Sequence, residues 1–255
     1  MLVSILIGLL FLGGAVTVTL SAYFAMRWLL GRDVHKDKEL AASVLTRIAA
    51  LHALILALVF AQEMVDYQQL RTESATEADA VADLYNDARR YGGPQASTIR
   101  AAATSYLDRV IEDDWQSLAT HRRLAQAAWS SWNDAYETVL SLKPEDERQA
   151  SLREHMLSAI HTISEQRVKR EMVGQDEVSG LFWFAAVSGL LFSAAAYYPF
   201  DPERRSLMLL SMFGMFTGIV LYLIYAFSDP YRPPGALHPG PFERLKAAIA
   251  ADPGG

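Results

Sequence analysis

A chain of 255 residues with a formal net charge of −6 and no basic patch interleaved with aromatics is poorly suited to nucleic acid. The absence of cysteine excludes structural disulfides, thiolate metal sites and cysteine nucleophiles, and leaves the compartment open. The hydrophobic fraction of 51% would suit a soluble protein, so the decisive feature is that the apolar residues fall in blocks.

The first block runs from about Leu2 to Leu30 with no charge before Arg27. A secretory signal would carry basic residues ahead of a much shorter apolar core, so a retained transmembrane helix is expected. The second block, Ile48 to Ala61, extends through Ala41, Ala42, Val44, Leu45 and Met64, and Arg47 can snorkel to the headgroups. The third runs from about Val178 to Tyr198 and the fourth from Leu207 to Phe227, neither with a charge. About 20 apolar residues cross the hydrocarbon layer. Tyr197-Tyr198-Pro199 and Ser228-Asp229-Pro230 supply stops, with interfacial aromatics at Tyr225, Phe227 and Tyr231.

Small residues recur at four-residue steps and read as helix-packing seams: Gly214 and Gly218 in span four, Ala185, Gly189 and Ser193 in span three, Thr17, Ser21 and Ala25 in span one. Their partner can be a helix of the same chain or of another subunit.

Between spans two and three the chain is polar with helical periodicity and no strand alternation. Ala75, Ala78, Ala82, Tyr85 and Ala88 share a face of a helix that leaves span two without a breaker. Gly92-Gly93-Pro94 and Lys143-Pro144 punctuate the region. Ile99, Tyr106, Val110, Trp115 and Leu118 mark one further helix, Trp129, Trp132, Tyr136 and Val139 another, and Leu152, Met156, Ile160 and Ile163 the return. The expected fold is all-α: four transmembrane helices with a helical-bundle domain inserted between the second and third. The divisions are 1–62 for spans one and two, 63–177 for the bundle, 178–228 for spans three and four, and 229–255 for a Pro/Gly-rich tail. That tail holds an amphipathic piece, Phe242 to Lys246, which either lies on the membrane surface or is disordered.

Arg27, Arg32, Lys36 and Lys38 precede span two, and Arg204 and Arg205 precede span four. The short loops therefore face the cytoplasm of a bacterial inner membrane, and the inserted domain faces outward.

The layout resembles the bestrophin-like family of bacterial integral membrane proteins. The resemblance rests on His35 and the basic loop, the run Ala49 to Phe60, Glu73, Glu77, Ala78, Leu84-Tyr85, Tyr106 and Trp115. It continues in Arg167-Val168-Lys169-Arg170, Asp229-Pro230-Tyr231 and Pro241-Phe242. Bestrophins are pentameric anion channels, so the resemblance implies a homo-oligomeric ion channel. Bestrophins keep their helical region in the cytoplasm, whereas the charges here place it outside.

In span two, His52 shares a face with Leu45, Leu56, Val59 and Glu63, and Asp66 follows one turn outward. Around an oligomer axis, His52, Val59, Glu63 and Asp66 would line a pore. The plainer reading has His52 bonding a neighbouring helix and Glu63 in the headgroup layer. His155 and His161, six apart, do not share a helical face, and His161 with Glu165 is an i, i+4 pair that could ligate or equally form a surface hydrogen bond; without a closed ligand set no metal is expected. Glu112-Asp113-Asp114 reads as a solvated charge run. No Walker motif, nucleophile elbow or dinucleotide fingerprint occurs, so neither enzymatic activity nor a cofactor is expected. The expected partners are the lipid bilayer, further copies of the chain, and a small ion or other ligand. The alternative functions are a membrane-anchored ligand- or protein-binding sensor module and a structural membrane scaffold.

Overall fold

The structure, a computed structural model, describes residues 2–30, 38–175 and 178–251. The expected loop residues Arg32, His35 and Lys36, and the boundary residue Glu177, lie outside the described residues. Every regular element among the described residues is a helix. These are α1 (Leu2–Leu30), α2 (Lys38–Tyr91), α3 (Gly93–Arg109), α4 (Trp115–His121), α5 (Gln126–Ser141), α6 (Glu147–Gln175), α7 (Gly180–Ala195), α8 (Arg204–Phe227) and α9 (Gly240–Ala251). A π-helical segment, Val110–Asp114, joins α3 to α4.

Local chemistry explains the breaks. Gly92 and Gly93 both take left-handed φ values, 78° and 77°, which only glycine adopts freely, and Pro94 opens α3 where its missing N–H is harmless. Arg122 caps α4 at φ 56° and donates its backbone N–H to the Leu118 carbonyl, 3.1 Å away. The Asp146 carboxylate accepts the Gln149 N–H at the start of α6, while the Gln149 side chain accepts the Glu145 N–H. Ser179 caps α7 through its hydroxyl, which accepts the Leu181 N–H.

The chain forms two compact units. The first contains α1, the start of α2 up to Val65, α7 and α8. Its surface is apolar: Leu10 is 75% exposed, Leu181 80% and Phe216 67%. Water would penalise such a surface, whereas lipid accepts it. Among the described residues three helices, α1, α2 and α8, are long and apolar enough to cross a membrane, and a fourth span arises only if α6 and α7 count together. The expected third span is shorter than read from the sequence. Its helix ends at Ala195, and Tyr197 and Tyr198 turn the chain by bonding the carbonyls three residues back.

Within this unit α8 packs on α1 through the small residues. A methyl added at Gly214 would stand 2.7 Å from Thr19 Oγ1, and one at Gly218 would stand 2.8 Å from the Phe11 carbonyl oxygen. The buried stripe of α1 is Ala15, Thr19 and Tyr23. The expected seam Thr17, Ser21 and Ala25 is exposed, two residues round the helix from the packed one. At the far end of α1, Tyr23 donates to the Phe200 carbonyl (2.7 Å), and Arg27 binds that same oxygen and the Asp201 carboxylate (2.9 Å). Lys38, which opens α2, lies 3.8 Å from the other Asp201 oxygen. One end of each of the four helices therefore gathers at the α7–α8 turn.

The second unit contains the rest of α2, α3 to α6, and α9, with Pro230–Arg232 and the residues from Ala236. Its core joins Val81, Leu84, Tyr85, Ile99, Leu107, Val139, Met156, Ile160 and Phe242. Among the described residues of this unit, only Leu140, Val168 and Met172 are exposed large apolar side chains, the surface of a domain made for water. The segment read as a surface-bound or disordered tail belongs to this core. Phe242 is fully buried, Leu245 and Ile249 pack beside it, and Lys246 bonds Asp108 at 2.5 Å.

Candidate functional site

Three helices of the second unit bury side chains at alternating steps of four and three residues. On α2 the stripe is Leu70, Ser74, Glu77, Val81, Leu84, Ala88 and Tyr91. On α6 it is Met156, Ile160, Ile163, Arg167, Arg170 and Gly174. The α3 stripe runs Ile99, Ala103, Tyr106, Val110, and the same rhythm would next bury Asp113 and Ser117. The π segment inserts one residue and turns Asp114 and Leu118 inward instead. Glu112 stays exposed and Asp113 half-exposed, so the solvated-run reading holds for those two and fails for Asp114.

These registers bring four fully buried charges together. Arg167 donates from Nη1 to Asp114 Oδ2 (2.6 Å), and from Nη2 to Asp114 Oδ1 (3.1 Å) and the Ala125 carbonyl (2.9 Å). Arg170 donates from Nε and Nη2 to the two Glu77 oxygens (3.1 and 3.0 Å), and Nη2 also reaches Asp114 Oδ2 (3.1 Å). Asp114 thus bridges both guanidinium groups. Two cations and two anions balance, the condition on which buried charge is tolerated.

Aromatic rings complete the enclosure. Arg167 stands 4.8 Å from the centre of the Trp129 ring and 5.6 Å from that of Tyr106. Arg170 stands 5.0 Å from Trp115 and 5.6 Å from Phe242. The Tyr106 hydroxyl donates to Glu77 Oε1 (2.6 Å), and the Tyr231 hydroxyl to the Arg170 carbonyl (3.0 Å). Gly174 leaves room for the Tyr231 ring, since a methyl there would stand 2.9 Å from it. Burial opposes the Arg170 charge, but Glu77 and Asp114 outweigh it and raise its pKa above the ordinary value. Burial, reinforced by Glu77, pushes the Tyr106 hydroxyl well above its ordinary range; burial also raises Tyr231. Both carboxylates are committed to fixed partners, so the cluster acts as a lock between α2, the π segment and α6.

A model of the bestrophin-like domain matches residues 13–242, nearly the whole chain. The chain belongs to the bestrophin-like family. No curated protein and no solved structure matches it. Glu77, Tyr106, Trp115, Arg167, Arg170, Tyr231 and Phe242, which carry the resemblance in the sequence of this bestrophin-like protein, all converge on the lock. Asp114, which joins its two arginines, is absent from that set.

The side chains considered for a pore lie elsewhere. His52 is 4% exposed and packs into the notch at Gly189 of α7, where any side chain would collide with the imidazole. Leu56 joins Phe182, Ala186, Leu221 and Ile224 in a core, with Val59 against it. That face of α2 is therefore turned toward α7 and α8 of its own chain. Glu63 and Asp66 are half-buried. Ser193 is buried and Ala185 and Gly189 are half-buried. His155 lies 4.0 Å from Asp87, and His161 lies edge-on to Tyr136.

Proposed function

We propose that this bestrophin-like protein crosses a bacterial cell membrane four times, through α1, α2, α7 and α8, and self-associates around a path for ions. One observation carries the layout. Tyr231 and Phe242 share a core with Trp115, although α7 and α8 lie between them in sequence. A chain that returns to the same core has crossed the bilayer an even number of times in between. If α8 spans, as its 24 apolar-rich residues allow, α7 must span with it. The gathering of helix ends at Asp201 supports the same up-and-down order.

Family membership supports the conduction half of the reading, because bestrophins are multi-subunit anion channels; no enzymatic role is proposed. In this reading Glu63 and Asp66 sit at the mouth, while His52 and Val59 stand behind the lining helices, packed on α7. The domain faces away from the cytoplasm, following the basic short loops. A second reading, a membrane-anchored sensor, is favoured by α2 itself, which runs unbroken from Lys38 to Tyr91 and would transmit a rotation or shift.

Purified protein in nanodiscs should give a closed oligomer by native mass spectrometry and pass ions in liposomes, with altered selectivity in Glu63→Gln. A monomer that passes no ions would overturn the channel and favour the sensor.

A further inference from the structure

The second unit has a cavity of about 730 Å³ between α2, Trp115 and the start of α9. That is the size of a small-molecule site. Arg71, Arg244 and His238 line it, and no carboxylate is found among its described lining residues. A domain with a net negative chain around it has thus gathered cations at one concavity.

The placement of Arg244 sharpens the point. Gly240, the first residue of the twelve-residue α9, also lines the cavity, and a methyl on it would stand 3.3 Å from Arg244 Nη1. A guanidinium folded over the positive end of a helix is electrostatically misplaced unless an anion joins them. Glu243, the acidic residue of that first turn, is exposed and does not line the cavity. On the opposite wall Ser74 is 3% exposed, and its hydroxyl has no hydrogen-bond partner in the protein. A buried hydroxyl without a partner is costly, and Ser74 is one of the residues that line the cavity. Trp115 offers an aromatic wall, its Nε1 held by the Leu237 carbonyl at 2.9 Å.

We infer that this cavity binds a small organic anion, its phosphate or carboxylate held by Arg71, Arg244, the α9 N-terminus and the Ser74 hydroxyl, its apolar body against Trp115. The site is separate from the charge lock, whose two carboxylates are committed to arginines, and from the apolar unit proposed to carry ions.

Phenyl phosphate is a suitable probe, titrated calorimetrically into the full-length protein in phosphatidylcholine nanodiscs, with benzyl alcohol as the uncharged comparison. Phenyl phosphate should bind saturably and benzyl alcohol should not. The double variant Arg71→Gln, Arg244→Gln, two exposed positions, should weaken binding at least about tenfold, because charge-assisted bonds are lost. Ser74→Ala should weaken it by a smaller factor. Competition when phosphatidylglycerol is added to the disc would identify a lipid headgroup as the source of the anion. Undiminished binding would identify a soluble metabolite-sized anion. Absence of saturable binding, equal binding of benzyl alcohol, or unchanged affinity in the double variant would each overturn the inference, whatever the conductance result.

Discussion

Asp113 and Asp114 are adjacent and chemically identical, yet one pairs with Arg109 at the surface and the other holds two buried guanidinium groups. Removing one partner of a buried ion cluster costs about 3–5 kcal/mol, whereas a surface pair is worth well under about 1 kcal/mol. Asp114→Asn should therefore destabilise the helical unit by about 3–5 kcal/mol in denaturant unfolding, and Asp113→Asn by less than about 0.5 kcal/mol. Equal effects would mean that the π segment does not set the register. The tyrosines give a pH signature. Tyr106 and Tyr231 stay protonated in the folded state at pH values where the unfolded chain releases those protons, so folding binds protons there. Stability from this source is complete below about pH 10, the ordinary tyrosine value, and declines as pH rises toward the raised folded values. Tyr106→Phe should start lower, having lost its bond to Glu77, but fall less steeply with pH. Much of this chemistry is visible in the sequence once its rhythm is counted. Arg167 and Arg170 continue the apolar steps of Ile160 and Ile163, and Glu77 those of Val81 and Leu84. Read as charges close to a span, the same arginines look like a topology signal. Asp114 is hidden by one extra residue of helix that no propensity announces.

At the scale of elements, the small-residue stripes separate into used and unused ones. Gly214 and Gly218 let α8 touch the α1 backbone, and a methyl at either would force the two helices apart. Gly13 and Gly14 have nothing within 4 Å of an added methyl. Gly218→Ala should weaken the α1–α8 pairing by about 1–3 kcal/mol, the usual penalty of overpacking, while Gly13→Ala should leave it unchanged or firmer. Resistance of the fold to detergent unfolding measures both. The sequence marks α8 as a helix with a small-residue face, because glycine spacing is local. On α1 it marks Thr17, Ser21 and Ala25, which are exposed in this chain, while Ala15, Thr19 and Tyr23 repeat with the same period and are the buried stripe; only contact chooses between them. The break at Gly92-Gly93 is legible for the opposite reason: two glycines before a proline leave the helix no route onward.

At the scale of the molecule, apolar blocks announce a membrane protein and polar periodicity announces a helical domain, so the broad plan is readable without coordinates. What composition cannot convey is that residues beyond α8 return to the core built before α7, since that requires long-range contacts. Topology is directly testable because the chain has no cysteine of its own. With the domain outside, Gln95→Cys should react with a membrane-impermeant maleimide in intact cells, and Glu203→Cys only after permeabilisation. The reverse pattern would put the helical domain in the cytoplasm and align it with bestrophins.

The return of Tyr231, Leu237 and Phe242 to the domain also imposes a calendar on its synthesis. A chain made from its N-terminus completes α3 to α6 long before these residues exist. During that interval the wall beside Trp115 and Arg170 stands open, and the paired charges are only half roofed. The roof arrives only after α7 and α8 have been made, so the helical unit, begun before them, is completed last. A nascent chain stalled between α6 and α9 would carry an unsealed domain, the form in which quality-control proteases would first meet it.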